Sequence, residues 1–280
     1  MIKGIDVSKW QGTIDFSKVK SVADFVVIKA TEGVGYVDPK FKTFQKAVRD
    51  NGLLLGYYCF SRPDLKNTPQ AEVDFLIKTI GDLKQGEIIF LDYEITPSKY
   101  AKPVEWCKAW LDHLSYRLNN YKGLVYLNQS LLNGYDWKAV IDSSYGLWLA
   151  IYDYNANAPM PETKWGITAF KQYSNKEKIP GIQGNVDGNV FYGTKTTYKK
   201  YGFNGMTIPV PDPITPCEKK LKETEKLLDD AIKRNTDLVN QNTIQSDKIN
   251  ALNLKLANNL RGYSKSELFK AYFGQYPDTF

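Results

Sequence analysis

Residues 87–94 read Glu-Ile-Ile-Phe-Leu-Asp-Tyr-Glu. Four apolar residues in a row, Ile88 to Leu91, describe a strand buried on both faces, as in the parallel sheets of α/β proteins. Asp92 and Glu94 follow, separated by Tyr93. Side chains at i and i+2 of an extended chain point the same way, so the two carboxylates stand side by side at the strand's C-terminal end. In α/β barrels and sheets that end carries the active site. Close carboxylates do not ionise independently, and one of them is expected to hold its proton to an unusually high pH. A protonated acid beside an ionised carboxylate is the equipment for cleaving a glycosidic bond. An isolated Asp-x-Glu more often ends a strand as two solvated acids, so the rest of the chain decides.

Other buried runs flank this one. Ile2–Val7 reads as a strand with Asp6 near its end, followed by a polar loop with Ser8, Trp10 and Gln11. Phe25–Ala30, Leu53–Phe60, Leu124–Leu127, Leu147–Ile151, Ala169–Tyr173 and Val186–Phe191 read as further strands. Between them, Asp38-Pro39 and Thr68-Pro69 are helix starts, an N-cap followed by Pro at the first helical position. Residues 103–119 place Trp106, Trp110, Leu114 and Leu118 on one helical face. Asp136 reads as the cap of a short helix. Alternation of strand and helix through the first six strands predicts parallel pairing by right-handed crossovers. The later connections are too short for full helices, so eight strands in about 200 residues predict a small, incomplete α/β barrel. Asp6, Glu32, Asp92, Glu94, Asn128, Tyr152, Gln172 and Asp187 all fall at strand ends, which a barrel gathers on one rim.

Composition narrows the chemistry. The chain has 280 residues, enough for one large domain and an appendage. Aromatics make up 14%, with 19 Tyr and 6 Trp, and suit either sugar platforms or an aromatic core. A formal charge of +6 fits an acidic polymer and is too small to argue for nucleic acid. Cys59, Cys107 and Cys217 lack metal-ligand spacing and read as free thiols. A single histidine, His113, placed inside a predicted helix, rules out multi-His metal sites, argues against Ser-His-Asp or Cys-His chemistry, and is read as structural. No metal or cofactor is expected. No stretch approaches membrane-spanning length. Ile2–Val7 reads as part of the fold, not as a leader, so synthesis in the cytoplasm is expected.

The C-terminal part differs in kind. Residues 207–216 contain four prolines and read as a stiff linker. Residues 217–260 lack Pro and Gly, and a helix of that length reaches about 66 Å. Leu221, Leu228, Asn235, Asn242, Ile249 and Leu256 repeat every seven residues. Interleaved apolar positions are Ile232, Val239 and Leu260, or in the competing register Ala231, Leu238 and Leu252. This is a coiled-coil pattern, with Asn235 and Asn242 placed to fix register, and it predicts a homo-oligomer through residues 217–260. Gly262 ends the helix. Ser264-Lys-Ser-Glu267 then reads as a capping box opening a short amphipathic helix with Leu268, Phe269, Tyr272 and Phe273, expected to pack back on the coil. The domains are thus 1–206 (barrel), 207–216 (linker) and 217–280 (helical tail).

Seven motifs occur in order: Gly4-Ile-Asp-Val-Ser-x-x-Gln-Gly12, Val27-Ile-Lys-Ala-Thr-Glu-Gly33, Gly56-Tyr-Tyr-x-Phe60, Leu91-Asp-Tyr-Glu94, Leu147-Trp-Leu-Ala-x-Tyr152, Gln172-Tyr-Ser174 and Gly184-Asn-Val-Asp-Gly-Asn189. Over residues 1–205 the chain closely resembles glycoside hydrolase family 25, the Chalaropsis-type lysozymes found in phage endolysins, bacteria and fungi. The resemblance implies an irregular (β/α) barrel, five β/α units followed by shorter strands, and cleavage of the β-1,4 bond from N-acetylmuramic acid to N-acetylglucosamine in peptidoglycan. It makes Glu94 the general acid, Asp92 its charged partner, and Asp6 and Asp187 further acids of the cleft. Tyr58, Tyr126, Trp148, Tyr152 and Gln172 fall where the family lines its sugar groove. Cys59 and Lys171 depart from the family's common His and Trp, and are expected to alter subsite detail. A substrate-assisted, retaining route is favoured, with Asp92 orienting the acetamido nitrogen; direct attack by water with Asp187 or Asp6 as base is the inverting alternative. The expected role is a phage endolysin reaching the wall after release. Alternatives are a virion-borne or wall-remodelling muramidase, or a non-catalytic wall-binding assembly protein organised by its coiled coil.

Overall fold

In a computed structural model, the described residues are 1–95, 98–205, 216–259, 261, 262, 264, 267 and 270, without the side chains of 216–222 and 225. The chain divides into two compact units, residues 1–209 and 210–280.

The first unit runs β1 (Ile2–Val7), α1 (Phe16–Val19), β2 (Phe25–Glu32), β3 (Tyr36–Val37), α2 (Phe41–Asp50), β4 (Leu54–Phe60), α3 (Pro69–Ile80) and β5 (Ile88–Asp92). It continues through α4 (Pro103–Arg117), β6 (Leu124–Asn128), α5 (Gln129–Gly134), α6 (Lys138–Asp142), β7 (Gly146–Ala150), β8 (Thr168–Glu177), β9 (Val186–Phe191) and α7 (Lys195–Tyr201). The strand order is β1-β9-β8-β7-β6-β5-β4-β2, with β3 hanging from β2, and β1 also pairs with β2. That pairing closes an eight-stranded ring, so the expected incompleteness is corrected: the helical layer has gaps, and the strand ring has none. β1 and β2, and β2 through β4–β8, are parallel; β9 runs antiparallel to both β8 and β1 and completes the circuit. No unpaired edge remains among the eight ring strands, which removes the usual liability of an open sheet.

Alternation along each strand sorts the core into two layers. Outward-facing Ile89, Leu91, Val125 and Leu127 pack with Trp106, Trp110, Leu111 and Leu114 of α4. Inward-facing Phe25, Phe90, Trp148, Phe170 and Phe191 fill the barrel and meet largely edge to face, with Phe90 and Phe170 centroids 5.1 Å apart. Each such buried side chain contributes about 1.5–3 kcal/mol through apolar burial. Two glycines make room for them: a Cβ on Gly4 would lie 2.4 Å from the Phe25 ring, and one on Gly56 2.8 Å from Phe90. From α7, fully buried Tyr198 packs on Phe25, Phe170 and Phe191 and stoppers the end away from the strand C-termini. Only the C-terminal rim stays open.

Several local expectations shift. Asp38 does not cap α2, which begins at Phe41; its Oδ1 accepts from Lys40 N in a preceding turn. Asp136 accepts from Lys138 N, one position out of register with the Trp137 N-cap of α6. Helix α4 stops at Arg117, before Asn119 and Asn120 take positive φ. His113 Nε2 lies 2.8 Å from Asp74 Oδ1, a structural contact. Cys59 and Cys107 are buried free thiols.

In the second unit, α8 (Pro216–Asn259) is one continuous helix, and a coiled-coil partner is not part of the structure. Gly262 has φ 106°, and Ser264 and Glu267 form the reciprocal capping hydrogen bonds, with Ser264 N to Glu267 Oε2 at 2.7 Å. Leu221, Leu260, Leu268, Phe269, Tyr272 and Phe273, and residues 207–215 of the linker, lie outside the described residues or side chains. No described helix is long and apolar enough to cross a membrane.

Candidate active site

All nine residues singled out for the site line one rim cavity of about 200 Å³, together with Ser8, Trp10, Lys29 and Phe60. Two pairs of carboxylates form its chemistry. Asp92 ends β5, and its backbone carbonyl is gripped by Ser61 N at 2.9 Å and Ser61 Oγ at 3.0 Å. Tyr93 turns outward to the Trp106 side of the core, so Asp92 and Glu94 both face the cavity. The second pair is cross-strand: Asp6 on β1 stands directly opposite Asp187 on β9. That pairing exists only because β9 runs antiparallel to β1.

Each pair has a buried and a more open member. Asp6 and Asp92 are buried, whereas Glu94 faces solvent and Asp187 is partly exposed. Burial pushes Asp6 upward, and hydrogen bonds from Asn189, Gln172 and Asp187 pull it back. Asp187 is pushed up to about 8 by burial, by the charge of Asp6 and by its hydrogen bond to Asp6. Asp92 is held well above the usual carboxylate range, first by burial and then by the charge of Glu94. Glu94 is also raised, by the protein crowding it below its exposed edge and by Asp6, while the hydrogen bond with Asp92 and the Lys29 ammonium act downward. Buried Asp92 Oδ1 meets no hydrogen-bond partner among the described residues, a position that favours the neutral acid. Each pair is therefore built to share a proton.

A polar web holds Asp6. Its Oδ2 accepts from Gln172 Nε2 at 2.8 Å and Asn189 Nδ2 at 2.6 Å. Gln172 Oε1 in turn accepts from Tyr126 OH at 2.9 Å and Tyr152 OH at 2.8 Å. Trp148 Nε1 donates to Asn189 Oδ1 at 2.9 Å. Tyr126 and Trp148, expected as groove lining, are therefore largely buried supports of Asp6. The most exposed aromatic faces of the cavity belong to Tyr152, 44% exposed, and Trp10, 81% exposed, with Tyr58 and Phe60 half-buried.

Two of the eight strand-end groups do other work. Asn128 Oδ1 accepts from Leu131 N and caps α5. Glu32 binds Lys29 and Arg62. The site reading missed Lys29 and Asn189. A lysine inside the apolar run of β2 was the available signal for the first; Asn189, quoted within a motif, had no signal short of its contact with Asp6. Cys59 and Lys171 lie outside the cleft. Cys59 Sγ faces Glu72 of α3 at 3.8 Å, and Lys171 Nζ reaches Asp153 Oδ2 at 2.5 Å. The expected effect on subsite detail is corrected accordingly, because alternation turns both side chains to the outer face. No cluster of metal-ligating side chains occurs among the described residues.

A closed β/α barrel whose open rim carries paired carboxylates is an arrangement suited to glycoside hydrolysis. The chain belongs to Glycosyl hydrolases family 25, whose profile matches residues 5–182. It is 34% identical over 208 residues to "Uncharacterized protein YegX" of Escherichia coli O6:H1, covering 69% of this chain and 70% of that one. It is 30% identical over 205 residues to Lysozyme M1 of Streptomyces globisporus, covering 69% and 68%. The bacterial lysozyme of Streptomyces coelicolor shares the fold, with TM-score 0.61 and 24% identity, over 73% of this chain and 98% of that one.

Proposed function

We propose that the barrel is an N-acetylmuramidase, cutting the β-1,4 bond between N-acetylmuramic acid and N-acetylglucosamine in peptidoglycan. The observation that carries this reading is the Asp92–Glu94 pair: a buried, proton-holding acid behind an accessible one, at the open rim of a barrel of the lysozyme family. Glu94 gives its proton to the glycosidic oxygen as the bond to the anomeric carbon breaks. In the reactive form the proton shared by the pair sits on Glu94, and Asp92 is the ionised partner that orients the acetamido nitrogen. The substrate's acetamido carbonyl oxygen attacks the anomeric carbon, forming a cyclic oxazolinium ion. Water then opens the ring, Glu94 takes its proton, and the β configuration is retained.

Peptidoglycan digested by the wild type is expected to release fragments with muramic acid at the new reducing end, seen by mass spectrometry. Glu94→Gln is expected to lower the rate about 10²–10⁴-fold. NMR of the first product separates the routes: an initial α-anomer ends the substrate-assisted one. Equal activity of wild type and Glu94→Gln ends the assignment of Glu94.

We also infer an endolysin role, supported by the attachment of a second unit, which carries the 44-residue helix α8, to a barrel of the lysozyme family. Bacteria producing the chain should lyse only when their membrane is breached. Lysis without any breach would contradict that role.

A further inference from the structure

A second cavity, of about 510 Å³, adjoins the acid cluster and shares Trp10 and Lys29 with it. Three cations line it: Lys9, Lys29 and Arg62. Two are engaged by carboxylates. Lys29 Nζ lies 2.9 Å from Glu32 Oε2, and Arg62 Nη1 lies 2.7 Å from Glu32 Oε1. Arg62 Nε also binds Asp64 Oδ1 at 2.9 Å. The cavity's other acid, Asp38, uses its oxygens on backbone N–H groups, of Lys9 at 3.0 Å and Lys40 at 2.8 Å.

Lys9 is different. Asp38 pins its backbone, but its ammonium meets no carboxylate among the described residues. It lies instead 4.9 Å from the Trp10 ring centroid and 5.4 Å from that of Tyr36. Aromatic faces steady a cation without neutralising it. An oriented, uncompensated positive charge therefore borders a cavity continuous with the cleavage site, beside an indole that is 81% exposed. A neutral sugar needs the indole and has no use for the charge. The glycan on which this inference rests, through the muramidase reading, carries an acid-bearing lactyl arm on every second sugar.

We propose that this cavity is a subsite for a carboxylate on the lactyl arm of a muramic acid residue, with Lys9 as the anion's partner and Trp10 as the wall. The carboxylate is either the free lactyl acid or one belonging to a peptide attached there. The test compares kcat/KM of the full chain on peptide-free glycan, on peptide-bearing glycan, and on both after their carboxyls are amidated. The wild type is expected to prefer an acid form over its amidated counterpart by about two- to fivefold, the scale of an exposed ion pair. The pair of substrates with the preference identifies the source of the carboxylate. Lys9→Gln should bring that ratio near one, and Lys9→Arg should restore it. A ratio unchanged by Lys9→Gln, or no wild-type preference, overturns the proposal. A wild type that cleaves none of the four glycans instead overturns the muramidase reading and this subsite with it.

Discussion

Asp187 and Asp6 meet across one antiparallel strand pair, and their shared proton has a consequence for stability. An acid with a raised folded pKa binds its proton more tightly in the native state. Between the ordinary value of 3.8 and about 8, the folded chain keeps a proton on Asp187 that the unfolded chain has lost. Stability from this group is fully present below that window and is lost as pH rises through it. Asp6, Asp92 and Glu94 are raised as well, so they act in the same direction. Wild-type Tm is therefore expected to fall between about pH 5 and about pH 8, and Asp187→Asn to fall less. Equal slopes in thermal melts would remove Asp187 from the account. Residue identity made the four acids legible in the sequence. Which of each pair is buried was not legible, since that depends on the walls that neighbouring strands build around them.

The ion pair Lys171–Asp153 belongs to the scale of elements, because it ties the loop after β7 to the outer face of β8. Lys171 is 1% exposed and the Asp153 side chain 39%. The two truncations are therefore unequal. Asp153→Ala strands a buried ammonium and is expected to cost about 3 kcal/mol. Lys171→Met leaves a carboxylate that can turn to water, at about 1 kcal/mol. Urea unfolding of both variants checks the order, and the reverse order would contradict the burial argument. The same loop carries Tyr152, whose hydroxyl steadies Gln172, so the pair also supports the web around Asp6. At this scale the apolar runs of β4, β5 and β6 and the four-residue spacing in α4 were plain in the sequence. Helices α1, α5 and α7 were not, being too short to display a period. The two-residue β3 was equally silent.

For the whole molecule, the open question is what covers α8. Leu228, Ile249 and Leu256 are 57–60% exposed on a helix of 44 residues, and Ile232, Leu238 and Val239 are similarly open. A heptad seam of this kind is stable when a second copy buries it. The oligomer proposed on that ground should give a light-scattering mass that is a multiple of 31.9 kDa. The double variant Leu228→Asp, Ile249→Asp should return the monomer mass. A monomeric wild type would end the proposal.

The sequence by itself determined the local terms: which runs are strands, that parallel β/α alternation dominates, that Asp92 and Glu94 share a side, and which family the motifs spell. These follow from alternation, periodicity and residue chemistry over a few neighbours. Only the tertiary structure decided that the barrel closes, because closure needs β1 to pair with both β2 and β9 across nearly the whole first unit. It also decided that Tyr126 and Trp148 serve Asp6 from beneath, and that Cys59 and Lys171 face away from the cleft. It also left the Lys9 ammonium without a carboxylate partner among the described residues, beside the cavity that holds the four acids. Pairing, burial and charge balance depend on residues far apart in the chain, and no local pattern encodes them.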